Sequence, residues 1–180
     1  LDNRAAVACV IKALEATKDI DIGAEVYFVA STQEEVGCRG AAPAAFGIMP
    51  DYAIIIDAGF AKTLDSVSWE SKIMGGGPVV DYGPNINRNF AEKIIESGEK
   101  AGIRIQTNVV PGGNSGTNAR VIQTSGAGIA TALVDISVRY MHTPNEVVDI
   151  EDCKMTTKLI EAVLRDFSSM ELPGRCCINA

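Results

Sequence analysis

Two adjacent glutamates are the residues of this sequence whose types and spacing most directly suggest chemistry. An apolar run ends at Ser31, and Glu34 and Glu35 follow it just before Gly37. Neighbouring carboxylates repel each other, and burying either one is costly unless a cation is close. A bound metal ion removes that cost, because one carboxylate binds the ion while the other takes a proton from a water molecule that the ion activates. The pair suggests a metallohydrolase, whereas an isolated Glu-Glu pair usually begins an exposed loop.

Three further polar residues lie where helices or strands are predicted to begin or end: Asp2, Asp57 and His142. Each has an ordinary alternative role. An aspartate before a helix is commonly its N-cap, and an aspartate after a strand commonly begins a turn. His142 is the only histidine, and it precedes Thr143 and the φ-restricted Pro144, which favours a fixed position. Taken with the glutamate pair, the three residues favour a metal site.

Hydrophobic periodicity predicts the elements that position these residues. Val7, Val10, Ile11 and Leu14 have the i, i+3, i+4, i+7 spacing of an amphipathic helix over residues 3–18. Strands alternate with helices at the lengths of βαβ units, which predicts an α/β fold with a mostly parallel or mixed sheet between helices. The predicted strands are 24–31, 52–56, 67–71, 78–82, 103–109 and 129–136, and the other helices lie at 87–102, near 119–123 and from 149 onward.

The carboxyl ends of strands are where such sheets bind ligands. Glu34, Glu35 and Asp57 all follow predicted strands, so we expect them to meet in space although their sequence spacing is irregular. Other catalytic signatures are missing from the sequence. The glycines from Gly75 to Gly77 lack the ending of a phosphate-binding P-loop, and no G-x-S-x-G nucleophile motif occurs.

Composition excludes several classes of partner. A net charge of −7 argues against a nucleic acid, and no apolar run approaches the roughly 20 residues of a membrane span. The five cysteines are odd in number and show no C-x-x-C spacing, which argues against a disulfide framework or a zinc ribbon. Thiols that stay reduced indicate a cytoplasmic protein. The cysteines are Cys9, Cys38, Cys153, Cys176 and Cys177.

Four segments together resemble one enzyme family. They are Leu1 to Arg4, Glu34 to Gly40, the pair Ile56-Asp57, and the string from Arg139 to Pro144 followed by Glu146. The set resembles the tetrahedral aminopeptidases, which are zinc or cobalt metallopeptidases with two metal ions and are related to glutamyl aminopeptidases; some members carry an endoglucanase label. The resemblance covers nearly all 180 residues.

This resemblance implies a role for each candidate residue. Asp2 would bridge two metal ions, Glu35 and His142 would bind one of them, and Asp57 would bind the other. Glu34 would act as the general base. The implied reaction removes N-terminal residues from peptides, with two zinc or cobalt ions as cofactors and a peptide as the substrate.

The sequence also departs from the family pattern. The family has a further histidine upstream of the segment that matches Asp2, and an inserted dimerisation domain that also precedes this point. Asn118 stands where the family usually has an acidic residue, and Val138 stands where it usually has proline. We therefore expect residues 1–180 to form a single, partial catalytic domain of a longer protein. Since the missing segment would uncover apolar surface, self-association is expected, and the intact protein is expected to be a homo-oligomer.

Two alternatives stay open on these residues. A related amidohydrolase or deacylase would use the same metal core, because that core does not select the acyl group. A non-catalytic fragment or assembly module would keep the fold without full metal binding, and the absent upstream histidine favours this alternative.

Overall fold

The computed structural model describes residues 1–64, 66, 72–110 and 115–172. Helices and strands alternate along much of this part of the chain, as the hydrophobic pattern predicts. The helices are α1 (Arg4–Thr17), α2 (Ala41–Ile48), α3 (Arg88–Lys100), α4 (Ala119–Ile122) and α5 (Ile150–Asp166), and a 3-10 turn (Phe167–Ser169) follows α5. The strands are β1 (Tyr52–Phe60), β2 (Val79–Tyr82), β3 (Gln106–Val109), β4 (Ala130–Arg139) and β5 (Val147–Val148).

The sheet is mixed, with the order β1-β4-β2-β3 and β5 paired to the end of β4. β1 runs parallel to β4 along its whole length, and β2 runs parallel to β3. β2 and β5 run antiparallel to β4. The α/β prediction with a mixed sheet flanked by helices is therefore confirmed.

β4 is the centre of the packing, since all of its residues except the last are buried. Its run of β-branched and apolar residues is typical of a strand that is covered on both faces. Ile136 packs against α1 and α5, and Leu133 lies in the cluster that α3 and α5 share. α5 contacts both α1 and α3. Burial of each large side chain contributes about 1.5–3 kcal/mol, so these contacts fix where α1 begins beside β1.

Side-chain caps define the ends of the helices. The Oδ1 atoms of Asn87 and Asp149 accept hydrogen bonds from the backbone amides of Phe90 and Glu151. At α1 the cap is Asn3, whose Oδ1 accepts from the Ala6 amide at 3.3 Å. Capping by Asp2, the ordinary alternative for that residue, is therefore wrong, and the Asp2 side chain is available for other contacts.

Two strand predictions differ from the structure in a way that concerns the site. Residues 24–31 run without a ladder partner among the described residues, and a strand requires such a partner. Phe28 packs on the cluster between α1 and α5, whereas Tyr27 and Val29 are exposed. Asp57 does not end β1, which continues to Phe60 because its last residues keep pairing with β4.

Other boundaries shift only slightly or cannot be compared. β3 begins at Gln106 rather than at residue 103. The strand predicted at 67–71 and both Cys176 and Cys177 lie outside the described residues. In the helices that the structure describes, none combines the length and the apolar character that crossing a membrane requires.

Candidate metal centre

The loop from Thr32 to Gly40 carries the glutamate pair and is closed by backbone hydrogen bonds. The Gly40 amide donates to the Thr32 carbonyl oxygen at 2.9 Å, and the Cys38 amide donates to the Glu34 carbonyl oxygen at 2.9 Å. A Cβ atom at position 40 would lie 2.6 Å from the Thr32 nitrogen, so only glycine fits this close approach. The closed loop holds Glu34 and Glu35 in a fixed place at one end of the sheet.

Glu146 fixes the backbone of two site residues that are far apart in sequence. Its Oε2 accepts from the Asp2 amide at 3.1 Å, and its Oε1 accepts from the His142 amide at 3.0 Å. The Leu1 nitrogen also donates to Oε2, and this donor together with the two amides lowers the pKa of Glu146. The ionised carboxylate thus ties the start of α1 to the loop after β4.

Asp2, Glu35 and His142, here called the rim cluster, come together in space. Each offers one ligand atom, and these atoms all lie within 4.8 Å of one another. His142 Nε2 lies 3.1 Å from Asp2 Oδ2 and 3.8 Å from Glu35 Oε2. Glu35 and His142 are exposed and Asp2 is half-buried. Partial burial and then the Asp2 charge raise the pKa of Glu35, as expected for a carboxylate with too little positive charge nearby.

Asp57 lies beside the rim cluster but outside it. Its side chain is 6% exposed, and its Oδ1 accepts from Asn3 Nδ2 at 2.7 Å and from the Ala58 amide at 2.8 Å. Burial raises the pKa of Asp57 to about 7, and the charges of Glu34, Asp2 and Glu35 add to that shift. The structure therefore places Asp57 within the electrostatic reach of all three carboxylates.

Glu34 is not one of the three residues of the rim cluster. Its Oε1 accepts a hydrogen bond from Cys38 Sγ at 3.3 Å, and Cys38 is buried. The side chain is half-buried, whereas that of Glu35 is exposed. Two adjacent carboxylates therefore differ in environment, since one faces the cluster of potential ligand atoms and the other has a thiol as its partner.

A model of one protein family matches most of this chain. The family is described as M42 glutamyl aminopeptidase, and the match covers residues 1–159. The chain belongs to this family. The predicted resemblance to aminopeptidases of this kind is thereby confirmed.

Individual M42-like relatives agree with that assignment. A lysyl aminopeptidase from Pyrococcus furiosus is 38% identical over 172 residues, which are 95% of this chain and 49% of that protein. An aminopeptidase from the archaeon Desulfurococcus kamchatkensis has a similar fold, with a TM-score of 0.83, 33% identity, and coverage of 92% of this chain and 47% of that one. The TET1 peptidase of Pyrococcus horikoshii, which can assemble into a tetrahedron or a large octahedral shell, matches with a TM-score of 0.77, 31% identity, and coverage of 96% and 49%. This M42 chain thus spans about half the length of the relatives it matches.

The donor atoms of the rim cluster suit a transition-metal ion. Two carboxylate oxygens and one imidazole nitrogen are a common partial set for zinc, and cobalt accepts the same donors. The side chains converge from three distant parts of this M42 chain, so two carboxylates and one imidazole share a small volume. A divalent cation would balance the charge of the two carboxylates.

Sequence reasoning did not assign roles to Asn3 and Glu146. Asn3 caps α1 with its Oδ1 while its Nδ2 donates to Asp57 and to the Ile56 carbonyl oxygen, so one side chain ties the helix to β1. Glu146 has a signal in the sequence, because it is the acidic residue four positions after the only histidine. Nothing in the spacing of Asn3 indicates its contact with Asp57.

The Asn118 substitution in the M42 pattern has a local consequence. Asn118 Nδ2 donates to Ser31 Oγ at 3.1 Å, just before the loop that carries the glutamate pair. Its Oδ1 is buried and has no hydrogen-bond partner among the described residues. Asparagine thus serves as a donor where an acidic side chain would only accept.

Proposed function

We propose that this chain is the catalytic portion of a metal-dependent aminopeptidase. Residues 1–180 would act as one catalytic domain. The convergence of Asp2, Glu35 and His142 within 4.8 Å, in a member of the M42 family, is the observation that carries the proposal. Burial and mutual repulsion disfavour ionised carboxylates at such a site, and a bound cation would remove that cost.

The ligand sets are those that the family resemblance implies, and the convergence of Asp2, Glu35 and His142 supports the first of them. Asp2, Glu35 and His142 would hold one zinc or cobalt ion, and Asp2 with the buried Asp57 would hold a second. When bound, such ions polarise the scissile carbonyl and acidify a water molecule. The first set includes a nitrogen donor, whereas the second has only two carboxylates, which bind zinc poorly. We therefore expect one well-occupied ion and a second that is held weakly.

Glu34 would act as the general base. Its carboxylate is outside the rim cluster and is therefore free to accept a proton from the water that attacks the carbonyl carbon. As the C–N bond breaks, the same carboxyl group would return the proton to the leaving amine nitrogen. The Cys38 thiol donates to Glu34 Oε1 and so helps to hold this side chain in place.

The test is hydrolysis of aminoacyl-p-nitroanilides after chelation and re-addition of zinc or cobalt. Glu34→Gln should lower kcat by about 10²–10⁴-fold and leave metal affinity nearly unchanged, because the amide keeps the shape but cannot accept a proton. Glu35→Gln should weaken metal binding instead, because it removes a charged ligand. Glu25→Gln, which alters an exposed carboxylate nine residues before Glu34, is the matched control.

Several outcomes would contradict this proposal. If Glu34→Gln loses the metal and Glu35→Gln keeps it, the two roles are reversed. Cleavage of N-acetylated substrates with no cleavage of free-amine substrates would favour a deacylase. Metal binding without turnover of any substrate would indicate a non-catalytic module, and turnover with two tightly held ions per chain would overturn the expected weak second site.

We also propose that the protein is a cytoplasmic homo-oligomer that acts on peptides. The three cysteines in the described part of the chain are free thiols, which fits a reducing compartment. Exposed apolar side chains on α1, namely Val7, Ile11 and Leu14, favour association. Light scattering coupled to size-exclusion chromatography tests the assembly, and a strictly monomeric protein would contradict it.

A further inference from the structure

A second group of charged residues lies inside the sheet and takes no part in the proposed reaction. Lys72 Nζ donates to Asp135 and, at 3.3 Å, to Asp81 Oδ2. The Lys72 side chain is 10% exposed, and Asp81 and Asp135 are buried. These three residues are here called the buried cluster. Asn108 Nδ2 donates to the other oxygen of Asp81, so that carboxylate is fully engaged.

The path of the Lys72 side chain is built into β1. The backbone of Lys72 bridges to the end of that strand, where the Lys62 amide donates to the Lys72 carbonyl oxygen at 2.8 Å. From there the side chain passes Gly59. A Cβ atom at position 59 would lie 2.6 Å from both Lys72 Nζ and Asp135 Oδ2, so glycine is what lets the ammonium reach β4.

The buried cluster lies next to a residue of the proposed metal centre. Asp57 on β1 and Asp135 on β4 are register partners in the parallel pair. Side chains at paired positions project from the same face, on strands roughly 4.8 Å apart. Asp135 Oδ1 and Ser137 Oγ are buried and have no hydrogen-bond partner in the part of the chain that the structure describes. Asp135 thus pairs one carboxylate oxygen with the ammonium, and its other oxygen, Oδ1, is not hydrogen-bonded to any described residue.

We propose that Lys72 is a positioning residue for the second metal ion. Its ion pair with Asp135 keeps that carboxylate from binding the ion, so that Asp57 binds it and Asp135 does not. This inference rests on the proposed function. A buried carboxylate needs a cation, and the ammonium supplies it from inside the protein. Without the ammonium, the divalent ion beside Asp57 is the nearest replacement. Asp135 would then become a ligand of that ion through its Oδ1 atom.

The experiment is a cobalt titration that is monitored by calorimetry and by visible absorption. It compares the wild-type chain, Lys72→Met, Lys72→Met with Asp135→Asn, and the control Lys62→Met, which removes an exposed lysine from the same strand end. In Lys72→Met, the weaker cobalt ion should bind at least ~10-fold more tightly or become visible as a second step. The tighter ion should stay within ~3-fold of wild type. In the double variant and in Lys62→Met, both ions should bind as in the wild type.

Two results overturn the inference. One is a Lys72→Met chain whose cobalt binding equals that of the wild type at both steps, because the freed Asp135 carboxylate then does not bind the ion. The other is tightening that persists in the double variant, because the freed carboxylate is then not its cause. Circular dichroism establishes that each variant is folded.

The single variant Asp135→Asn keeps the inference testable if Lys72→Met does not fold. Asp135→Asn retains the pair between Lys72 and Asp81 and should leave both cobalt affinities unchanged. A tenfold loss at the weaker step would show that Asp135 is already a ligand in the wild type and would overturn the inference. A wild-type chain that binds no divalent ion overturns this inference and the proposed function together. Wild-type binding of cobalt with an unchanged Lys72→Met overturns only the role of Lys72.

Discussion

The rim cluster and the buried cluster place carboxylates at two depths of one molecule and balance their charge in opposite ways. In the buried cluster, Asp81 and Asp135 have an ammonium from the chain itself. In the rim cluster, the imidazole of His142 lies close to the carboxylates of both Asp2 and Glu35. Burial makes an internal cation necessary, whereas water reduces the cost of leaving charge uncompensated at the surface. Under the proposed function, the two carboxylates and the imidazole of the rim cluster would together bind a metal ion.

The two clusters also differ in how they are assembled. The buried carboxylates lie on strands of one sheet, so the register of β4 and β2 positions them. The rim cluster is gathered from the start of the chain, a closed loop and the segment after β4. Its geometry depends on single contacts such as those of Glu146 and Gly40. Changes in the buried cluster should therefore have their largest effect on stability, and changes in the rim cluster should have theirs on binding of the tighter metal ion.

The largest expected effect is on the buried cluster. Lys72→Met leaves two buried carboxylates without a cation and should lower the free energy of unfolding by about 3–5 kcal/mol. Urea unfolding of the metal-free chain measures the change. Lys62→Met should change that free energy by less than about 0.5 kcal/mol. A loss below about 1 kcal/mol in Lys72→Met would mean that the buried carboxylates do not need an internal cation for stability and do not differ from the rim cluster in this respect.

Asp57 combines features of both clusters, because it is buried and has carboxylates as neighbours. Its native pKa of about 7 lies above the ordinary value of 3.8. Between those values the folded chain holds a proton that the unfolded chain has released, so the stability of the metal-free chain should fall as the pH rises from about 4 to 7. The contribution is about 2–4 kcal/mol. Unfolding at several pH values should show a smaller fall in Asp57→Asn, and an equal fall in both chains would contradict the assignment.

The position of Gly59 tests whether the Lys72 side chain can reach Asp135 only because residue 59 has no Cβ atom. Gly59→Ala places a methyl group against Lys72 and Asp135 and should destabilise the fold by about 1–3 kcal/mol through overpacking. Gly47→Ala is the control, since a Cβ atom there meets nothing within 4 Å and the residue lies inside α2. That control should be neutral or stabilising. Thermal unfolding of the two variants measures the difference, and equal melting temperatures would contradict a tight passage.

Asn3 joins the region of the rim cluster to the sheet. Asn3→Ala removes the cap of α1 and the contact with Asp57, and it should cost about 1 kcal/mol. Asn87→Ala removes only the cap of α3 and is the matched control. Metal titration separates the two variants, because Asn3→Ala should also alter the weaker ion whereas Asn87→Ala should not. Identical titrations would show that Asn3 acts as a cap alone.

The smallest expected effect on stability belongs to Glu35. Glu35→Gln alters an exposed carboxylate and should change the free energy of unfolding of the metal-free chain by less than about 0.5 kcal/mol. The same change should weaken binding of the tighter ion by at least about 10-fold. Loss of a group that only hydrogen-bonds to a metal ligand already lowers metal affinity by about that factor. A large stability loss without metal would mean that the rim cluster is a structural ion-pair site.

Local pattern was sufficient for much of the fold. Helical spacing predicted α1, although its buried face carries Ala6, Cys9 and Ala13 whereas Val7, Ile11 and Leu14 are exposed. Helical spacing also predicted α3 and α5, and β-branched runs predicted β1 and β4. Such signals act over a few residues and are therefore readable along the chain. Residues 24–31 have a strand-like composition and no ladder partner, which composition alone does not reveal. The length of β1 was likewise set by pairing with β4, since its last residues, Ala58 to Phe60, carry no strong strand signal of their own.

The candidate metal ligands could be named from the sequence because their motifs match a family, and the sequence by itself determined which residue types are present. Tertiary structure decided which of them meet. Glu146 reaches Asp2 across 144 positions, and Lys72 reaches Asp135 across 63. Asn3 finds Asp57 across 54. Contacts over such separations form only when packing brings α1, β1 and β4 together, because no local preference of the chain encodes the distance between them. The residues that could hold an ion were therefore readable in sequence, whereas the residues that hold those ligands in place were set by the fold.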